Sequence, residues 1–408
     1  MNPDKNKVFR LEGNVKYYPW GGVSFLPELL KIPNPQNKPF AEYWMGAHDE
    51  SSSTIFLKEE QKVRLNEYIH RFPSETLGED IAKKFGRLPY LLKILDVRNM
   101  LSIQVHPSKK NAEIEFAREN NSGLDPGSLL RNYRDDNHKP ELMMALDEFW
   151  LLHGFKPVDR MKQVLQRVSE LIFLSPVFDK GYEALYRKVM QMEQAEVDKI
   201  LKPLLVRIIP AYQNKSLKKD NEDFWAARAA LTFNREEKID RGIFSIYLFN
   251  LVHLQPGEAV FQDAGLPHAY LEGQNVEIMA NSDNVLRGGL TSKRIDVTEL
   301  MKQVQFEATI PNIIHYTSVD SHVGLFVTPA PDFELGRINL KQNETLSLRS
   351  HSAEIFIVLQ GSLKVHENES NEFFRGMGEA WISFDKAGFT LRAVRDSTIY
   401  YGSVPRCG

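Results

Sequence analysis

The chain has 408 residues, of which 42% are hydrophobic and 26% are charged, and its formal net charge is −3. A chain of this length exceeds what one hydrophobic core usually supports, so roughly two or three domains of an ordinary globular protein are expected. The lack of a basic surplus argues against a nucleic-acid partner, and no apolar run is long enough for a signal peptide or a membrane span. We expect the protein to be cytoplasmic and monomeric.

Short alternating segments, broken by Gly and Pro, run from the first residues to about Leu152. VKYYPWGG, AEYWMGAH and STIFLKEE are typical of strands. LPYLLKILDVRNMLSIQVHP, residues 88–107, contains two apolar runs and predicts a hairpin with its turn near Arg98 and Asn99.

Ser108 then stands where it can cap a short helix that runs through Phe116. Residues 120–140 are polar and interrupted by Gly and Pro, which predicts a loop. Farther along the chain, the apolar period becomes helical. Two groups of apolar residues have this helical spacing. The first is Met161, Val164, Leu165, Val168, Leu171 and Ile172, and the second is Val197, Ile200, Leu201, Leu204, Leu205 and Ile208. With the stretch EDFWAARAALTF, residues 158–238 are predicted to form a small all-α domain.

Strand-like segments return from Ile243 and continue to the end of the chain, which suggests a barrel or a sandwich. GEAVFQDAGLPHAY begins at Gly257 and GEAWISFDKAGFTL begins at Gly378, so His268 in the first segment corresponds to Phe389 in the second. We interpret the pair as a duplicated β-barrel unit that keeps polar chemistry in one copy only. The predicted fold is mainly β with a helical insertion.

Three places in the strand-rich part carry side chains that bind metals. Gln104 and His106 are two residues apart, a spacing that puts both on one face of a strand. Glu141 ends the sequence HKPE, and His268 ends GLPH. Because the only cysteine, Cys407, stands next to the last residue, a site here must use nitrogen and oxygen ligands. Such a set suits a catalytic divalent metal, commonly zinc.

Longer motifs extend this hypothesis. QVHPSKKNAE, HKPE and PHAYLEGQNVEIMANSDNVLRGGLT resemble the signatures of the type I phosphomannose isomerases, and YYPWGG and AEYWMGAH resemble that family's N-terminal segments. The resemblance runs from about Tyr17 to Leu300. It implies cupin-type, jelly-roll β-barrels with a helical domain. It also implies a zinc-dependent interconversion of mannose 6-phosphate and fructose 6-phosphate, so a hexose phosphate is the expected partner.

By the same resemblance, one zinc ion per chain is expected on Gln104, His106, Glu141 and His268, and Arg287 matches the arginine that the family assigns to its active site. Three domains are implied. A catalytic cupin barrel comprises residues 1–157 and 239–318, a helical domain comprises residues 158–238, and a C-terminal cupin-like barrel without metal ligands comprises residues 319–408.

Moving a proton between C1 and C2 of an open-chain sugar can proceed through a cis-enediol or by a hydride shift, and we favour the enediol. That path needs a base and a donor for the developing negative charge. Arg287 is a candidate for stabilising the enediolate or binding phosphate, and we favour the former. Glu277, Lys139 and Asp283 are candidates for proton transfer, and His138 is a candidate for that step or for opening the sugar ring.

Phosphate needs cations or hydrogen-bond donors. Ser102 shares the strand face of Gln104, and Lys109 closely follows His106, so Ser102 and Lys109 are the predicted phosphate contacts. The sequence has no glycine-rich phosphate loop, so no nucleotide cofactor is implied.

Two other functions remain open from the sequence. A metal-dependent cupin oxygenase would use iron, and the amide ligand Gln104 argues against it. A non-catalytic barrel that only binds sugar phosphates is the other alternative. It would have lost at least one of the expected site residues, and this chain has all of them, namely Gln104, His106, Glu141, His268 and Arg287. Metal analysis and a turnover assay distinguish the three.

Overall fold

The structure, a computed structural model, describes residues 4–57, 61–125, 127–235 and 238–406. Cys407 and the last residues of the predicted strand segment STIFLKEE lie outside the described residues. The described chain is predominantly β, with its strands in two antiparallel sheets. None of the described helices is both long and apolar enough to cross a membrane.

The strands, in chain order, are β1 Val8–Glu12, β2 Asn14–Lys16, β3 Glu42–Gly46, β4 Thr54–Phe56, β5 Lys62–Arg64, β6 Tyr90–Val97, β7 Ile103–Val105, β8 Glu141–Ala145, β9 Phe149–Phe155, β10 Phe249–Leu254, β11 Ala259–Gln262, β12 His268–Ala280, β13 Leu286–Gly289, β14 Thr317–Ser318, β15 Val323–Phe326, β16 Glu334–Leu340, β17 Thr345–Arg349, β18 Glu354–Asn368, β19 Asn371–Gly376, β20 Ala380–Ser383 and β21 Gly388–Ser403.

The helices are α1 Phe25–Leu30, α2 Leu65–Arg71, α3 Pro73–Leu77, α4 Glu79–Phe85, α5 Lys109–Asn121, α6 Val158–Arg167, α7 Ser175–Phe178, α8 Tyr182–Gln191, α9 Gln194–Gln213, α10 Glu222–Phe233, α11 Gly242–Leu248 and α12 Val297–Gln303, with a 3-10 helix over Ser169–Leu174. Ser108 caps α5 as predicted, because its hydroxyl accepts a hydrogen bond from the backbone N–H of Asn111 at 3.3 Å.

The ten-stranded sheet is organised around β12. This strand pairs with β7 and β9 near its start and with β6 and β8 over its second half. The strands β7 and β13 form a further antiparallel pair beside it. Because β12 contacts four other strands, the ends of β7, β8 and β12 can converge on one place.

The eleven-stranded sheet contains the strands from β14 to β21 and also β1, β4 and β5 from the N-terminal part of the chain. The link is direct, since β1 pairs with β20 in the register Val8↔Ser383 to Leu11↔Ala380. Apolar side chains of the two sheets meet in a shared cluster that includes Tyr90, Ile278 and Ile355. The first part of the chain therefore contributes strands to both sheets.

The helices between residues 158 and 248 pack against the ten-stranded sheet. One hydrophobic cluster joins their buried residues, such as Leu165 and Leu204, to Ile103 and Leu286 of the sheet. The predicted helical stripe is buried as expected at most positions. Ile172 is 56% exposed, because it lies in the 3-10 helix, where the helical spacing changes.

The predicted hairpin over residues 88–107 is wrong. The strands β6 and β7 are not partners, since β6 pairs with β3 and β12, whereas β7 pairs with β12 and β13. The expected turn is held by distant backbone instead, because the N–H groups of Arg98 and Asn99 donate to the carbonyl oxygen of Trp20 at 3.1 and 3.0 Å. Two adjacent apolar runs indicate two strands but do not identify their partners.

The prediction of strand structure from Ile243 is wrong for its first six residues. Gly242–Leu248 forms α11, with every residue buried, and β10 begins only at Phe249. A short apolar run fits a buried helix as well as a buried strand, and packing among the other helices selects the helix here.

The two Gly-Glu-Ala segments have matching backbone structures. Gly257 and Gly378 have φ angles of +89° and +81°, and each is followed two residues later by a four-residue strand, β11 or β20. His268 begins the next strand in the first copy. Phe389, at the same distance from its glycine in the second copy, is the second residue of β21. It packs edge-on against Phe356, with ring centroids 5.7 Å apart. The second copy is therefore apolar where the first carries a histidine.

Candidate metal centre and substrate cavity

Three side chains from separate parts of the chain converge in the ten-stranded sheet. The Nε2 atom of His106 lies 3.4 Å from Oε1 of Glu141, and Nε2 of His268 lies 3.3 Å from Oε2 of the same carboxylate. One ligand atom from each residue lies within 4.8 Å of the other two, and all three residues are buried. In the part of the chain that the structure describes, no other group of three or more His, Cys, Asp or Glu residues meets this criterion.

Strand pairing brings these residues together. Gln104, in the middle of β7, is the register partner of His268 on one side and of Arg287 on the other. His106 follows directly after β7, and Glu141 is the first residue of β8. The predicted four-ligand set therefore lies at neighbouring strand ends, with Gln104 beside His268.

Backbone carbonyl groups determine which ring nitrogen of each histidine carries the proton. Nδ1 of His106 donates to the carbonyl oxygen of Asn284 at 2.7 Å, and Nδ1 of His268 donates to that of Leu266 at 2.9 Å. The lone pair of each Nε2 then faces Glu141, as a metal-binding imidazole requires. Nε2 of His106 is buried and has no hydrogen-bond partner.

The distances fit a tetrahedral metal. Ligand atoms about 2.0–2.1 Å from a tetrahedral zinc lie roughly 3.3–3.4 Å from one another. The two nitrogen–oxygen distances, one to each oxygen of Glu141, are of this size. With the unpartnered Nε2 of His106, the donor set therefore fits a divalent cation, and Gln104 is placed to add an amide oxygen.

Burial and nearby charges determine the protonation states of His106 and Glu141. Burial lowers the pKa of His106 to about 4, so its imidazole is neutral near neutral pH. Burial alone would raise the pKa of Glu141, but the charge of Lys139 holds it well below its usual value. The ammonium of Lys139 lies 3.1 Å from Oε1 of Glu141. The cluster thus presents a neutral imidazole at His106 and an ionised carboxylate at Glu141.

A cavity of about 630 Å³ opens onto this cluster, a size typical of small-molecule sites. Its lining includes most of the predicted site residues, namely Ser102, Gln104, Lys139, Glu141, His268, Glu277, Asp283 and Arg287. His106 is fully buried behind this wall. The aromatic residues Tyr18, Trp20 and Trp44 also line the cavity.

Besides His106, two predicted residues do not line the cavity, namely Lys109 and His138. Lys109 is half exposed on α5, where its ammonium donates to the carbonyl oxygen of Asp136 at 3.0 Å and lies 3.4 Å from Glu113. His138 points toward the eleven-stranded sheet, and its Nε2 lies 2.8 Å from the buried carboxylate of Asp332. The short distance along the chain from His106 and Glu141 did not show which way these side chains point.

Asp283 lines the cavity but is held by other groups. Its carboxylate lies 3.1 Å from Nε2 of His48, and its backbone N–H donates to Asp135 at 2.7 Å. Burial would raise the pKa of Asp283, but the hydrogen bond and charge of His48 lower it below the ordinary value. Asp283 is therefore ionised near neutral pH.

Lys93, which was not predicted from the sequence, lies on the cavity wall. Its ammonium donates to Oε1 of Glu277 at 2.9 Å, and the hydroxyl of Tyr270 donates to Oε2 of Glu277 at 2.7 Å. Burial raises the pKa of Glu277, against the opposing charge of Lys93. A signal was present, because a lysine in the apolar strand YLLKILDV is buried only when it is paired.

Lys293, which was also not predicted from the sequence, lines the cavity together with Arg287. Burial lowers the pKa of Arg287, and the nearby charge of Arg134 lowers it further. Burial and the charges of Arg287 and Arg134 likewise lower the pKa of Lys293. These shifts show that positive charges are crowded on one side of the cavity, which is where an anionic group would bind. The lysine ends the stretch GGLTSK, next to the motif that contains Arg287.

The sequence is similar to a group of known proteins. The family profile for the phosphomannose isomerase type I catalytic domain matches residues 8–158. A mannose-6-phosphate isomerase of Salmonella typhimurium is 37% identical over 384 residues, which cover 93% of this chain and 95% of the relative. The mannose-6-phosphate isomerase of Escherichia coli K12 is 36% identical over 389 residues, which cover 94% of this chain and 96% of the relative. The human one is 31% identical and covers 88% of each chain.

Solved structures agree with these relatives. The Salmonella typhimurium mannose 6-phosphate isomerase bound to its substrate fructose 6-phosphate and to zinc has a TM-score of 0.86 and 33% identity, covering 98% of this chain and 100% of that one. A mannose 6-phosphate isomerase bound with zinc and yttrium has the same TM-score, identity and coverage. Both similarities extend over nearly the whole chain.

Replacing His268 tests the metal centre. In His268→Ala, zinc measured by elemental analysis after dialysis should fall from one ion per chain to almost none, because one of the buried nitrogen ligands is gone. His253→Ala is the matched control, since His253 stacks on Trp150 away from the cavity, and it should keep its zinc. A His268→Ala protein that retains one ion per chain would contradict this assignment.

Proposed function

The chain belongs to the type I phosphomannose isomerase family, and we propose that its His106, Glu141 and His268, joined by Gln104, hold the zinc ion with which it works. The enzyme interconverts mannose 6-phosphate and fructose 6-phosphate and depends on zinc. One observation supports the zinc assignment most strongly, namely that both oxygens of one buried carboxylate face histidine Nε2 atoms beside a cavity.

We propose the domain division that the sequence indicates. A catalytic cupin-type barrel comprises residues 1–157 and 239–318, a helical domain comprises residues 158–238, and a C-terminal cupin-like barrel comprises residues 319–408. The matching backbone of the Gly257 and Gly378 segments supports a duplication. The aromatic packing around Phe389 supports a structural role for the C-terminal barrel. The cytoplasmic location, the monomeric state and the lack of a nucleic-acid partner stay predictions.

Bound zinc supplies a Lewis acid that polarises the oxygen atoms of the open-chain sugar. We propose that the proton moves between C1 and C2 through a cis-enediol. Lys139, Glu277 and Asp283 line the cavity and are the candidates for this transfer. Glu277 is favoured, because its raised pKa suits a carboxyl group that takes up a proton and returns it. The contact of His138 with Asp332 argues against a direct part in the reaction.

Two cations have separate proposed roles. Arg287 is paired through its backbone with Gln104 and so stays close to the metal cluster, which supports stabilisation of the enediolate. Lys293 lies farther along the chain on the same cavity and is proposed to anchor the phosphate with Ser102. Lys109, which was predicted for this role, is paired with acidic groups outside the cavity.

The activity assay tests the function as a whole. We expect the purified protein to convert mannose 6-phosphate to fructose 6-phosphate, to lose turnover after chelation, and to regain it when zinc is added. Chelation removes the group that polarises the sugar, while the protein side chains remain in place. Turnover that survives complete removal of zinc would contradict the assignment, as would a zinc-loaded protein without turnover.

Replacing Arg287 separates catalysis from metal binding. Arg287→Ala should keep one zinc ion per chain while kcat falls by about 10²–10³-fold, the usual loss when a positioned charge donor is removed. Arg294→Ala is the matched control, because Arg294 pairs with Asp296 outside the cavity, and it should keep its turnover. A nearly normal kcat in Arg287→Ala would contradict the role proposed for Arg287.

A further inference from the structure

One carboxylate links the helical region to the loop that follows β13. Asp240 lies between α10 and α11, and its Oδ1 accepts hydrogen bonds from the N–H groups of Gly242 at 2.7 Å and Leu290 at 2.9 Å. Its Oδ2 accepts a third from the N–H of Thr291 at 3.1 Å. Asp240 and Leu290 are 50 residues apart in the sequence, so the carboxylate joins two distant segments.

The two segments approach so closely that no side chain fits between them. A Cβ atom added to Gly242 would lie 2.6 Å from the nitrogen of Leu290, and one added to Gly289 would lie 2.4 Å from Cα of Gly242. Leu290 itself is buried and has a φ angle of +52°, a left-handed conformation that is uncommon for a branched residue. The hydrogen bonds from Asp240 stabilise the loop in this conformation.

The loop leads directly to the cavity. The side-chain oxygen of Thr291, whose N–H is bound to Asp240, accepts a hydrogen bond from the N–H of Lys293 at 3.0 Å. Thr291 and Lys293 both line the cavity. Arg287 is held differently, because its backbone pairs with Gln104 in β7. The two cations on this wall are thus fixed by different parts of the fold.

We propose that Asp240 is a positioning residue for the phosphate group of the substrate, because it fixes residues 290–293 so that Lys293 faces the cavity. The inference rests on the proposed function, in which Lys293 anchors the phosphate. It gives the helical region a part in substrate binding in addition to its packing against the sheet. Thr232 and Phe233, at the end of α10, also line the cavity.

The test compares KM with kcat in Asp240→Asn. The amide has the same shape, but its NH₂ group cannot accept a hydrogen bond. The variant therefore loses either the hydrogen bond from the N–H of Leu290 or the one from the N–H of Thr291. KM for mannose 6-phosphate and the inhibition constant of inorganic phosphate should both rise about tenfold, which corresponds to about 1.4 kcal/mol. We expect kcat to change less than about threefold and zinc to stay at one ion per chain, because Arg287 and the metal ligands are held by other strands.

Asp198→Asn is the matched control. Oδ1 of Asp198, in α9, accepts a hydrogen bond from the N–H of Ile239 at 2.9 Å, next to Asp240 in the same connection, but no hydrogen bond joins it to residues 290–293. Its KM should equal that of the unmodified protein. An equal rise of KM in both variants would indicate general loosening of the connection and would overturn the proposal, as would an unchanged KM in Asp240→Asn.

A double-mutant cycle with Lys293→Met tests the route of the effect. If Asp240 acts through Lys293, the double variant should have the KM of Lys293→Met alone, whereas multiplied effects would contradict the proposal. Should the unmodified protein lack turnover, the proposed function fails. Calorimetric titration of the same variants with inorganic phosphate then decides the inference by itself. Equal phosphate affinity in the unmodified protein and Asp240→Asn, or no binding to either, would overturn it.

Discussion

The site depends on the burial of the Glu141 carboxylate. An ionised carboxylate in a protein interior costs several kcal/mol unless opposite charges and hydrogen-bond donors offset the loss of water. Lys139 supplies one such charge, because its ammonium lies 3.1 Å from Oε1 of Glu141. A metal cation between the three ligands offsets the cost further, and it uses the His106 nitrogen that lacks a hydrogen-bond partner.

The same constraint extends to the neighbouring wall of the cavity. The buried carboxylates are Glu42, Glu141 and Glu277, and the buried ammonium groups are Lys93 and Lys139, so three negative charges oppose two positive ones. A divalent cation, or a proton on Glu277, removes the excess negative charge. The raised pKa of Glu277 follows from this balance as well as from its burial. Metal binding and proton transfer are therefore physically linked in one network of buried charges.

Local sequence predicted the parts of the site that depend on local geometry. The cap at Ser108 follows from spacing within a few residues, and the structure has it. Gln104 lies in a strand as expected, and His106 follows directly after that strand. The direction of His138 depends on Asp332, 194 residues away, which no local pattern contains. The wrong hairpin at residues 88–107 has the same cause, because the partners of a strand are chosen by the whole sheet.

Two other residues were missed for different physical reasons. Lys93 lies in an apolar strand, which indicates that it has a partner, but only the pairing of the strands identifies that partner as Glu277. Lys293 lies in a polar stretch where exposure is the usual outcome, and the contact of Thr291 with Asp240 brings it to the cavity. A resemblance to a family transfers motif residues, but it does not show the hydrogen bonds that hold them in place.

Anomalous diffraction at the zinc edge from crystals of the zinc-loaded protein tests the central claim most directly. The account predicts one strong peak between Nε2 of His106, Nε2 of His268 and the carboxylate of Glu141, with the amide oxygen of Gln104 within bonding distance of about 2.0–2.2 Å. A peak elsewhere in the chain, or zinc at this place without Glu141 as a ligand, would contradict it.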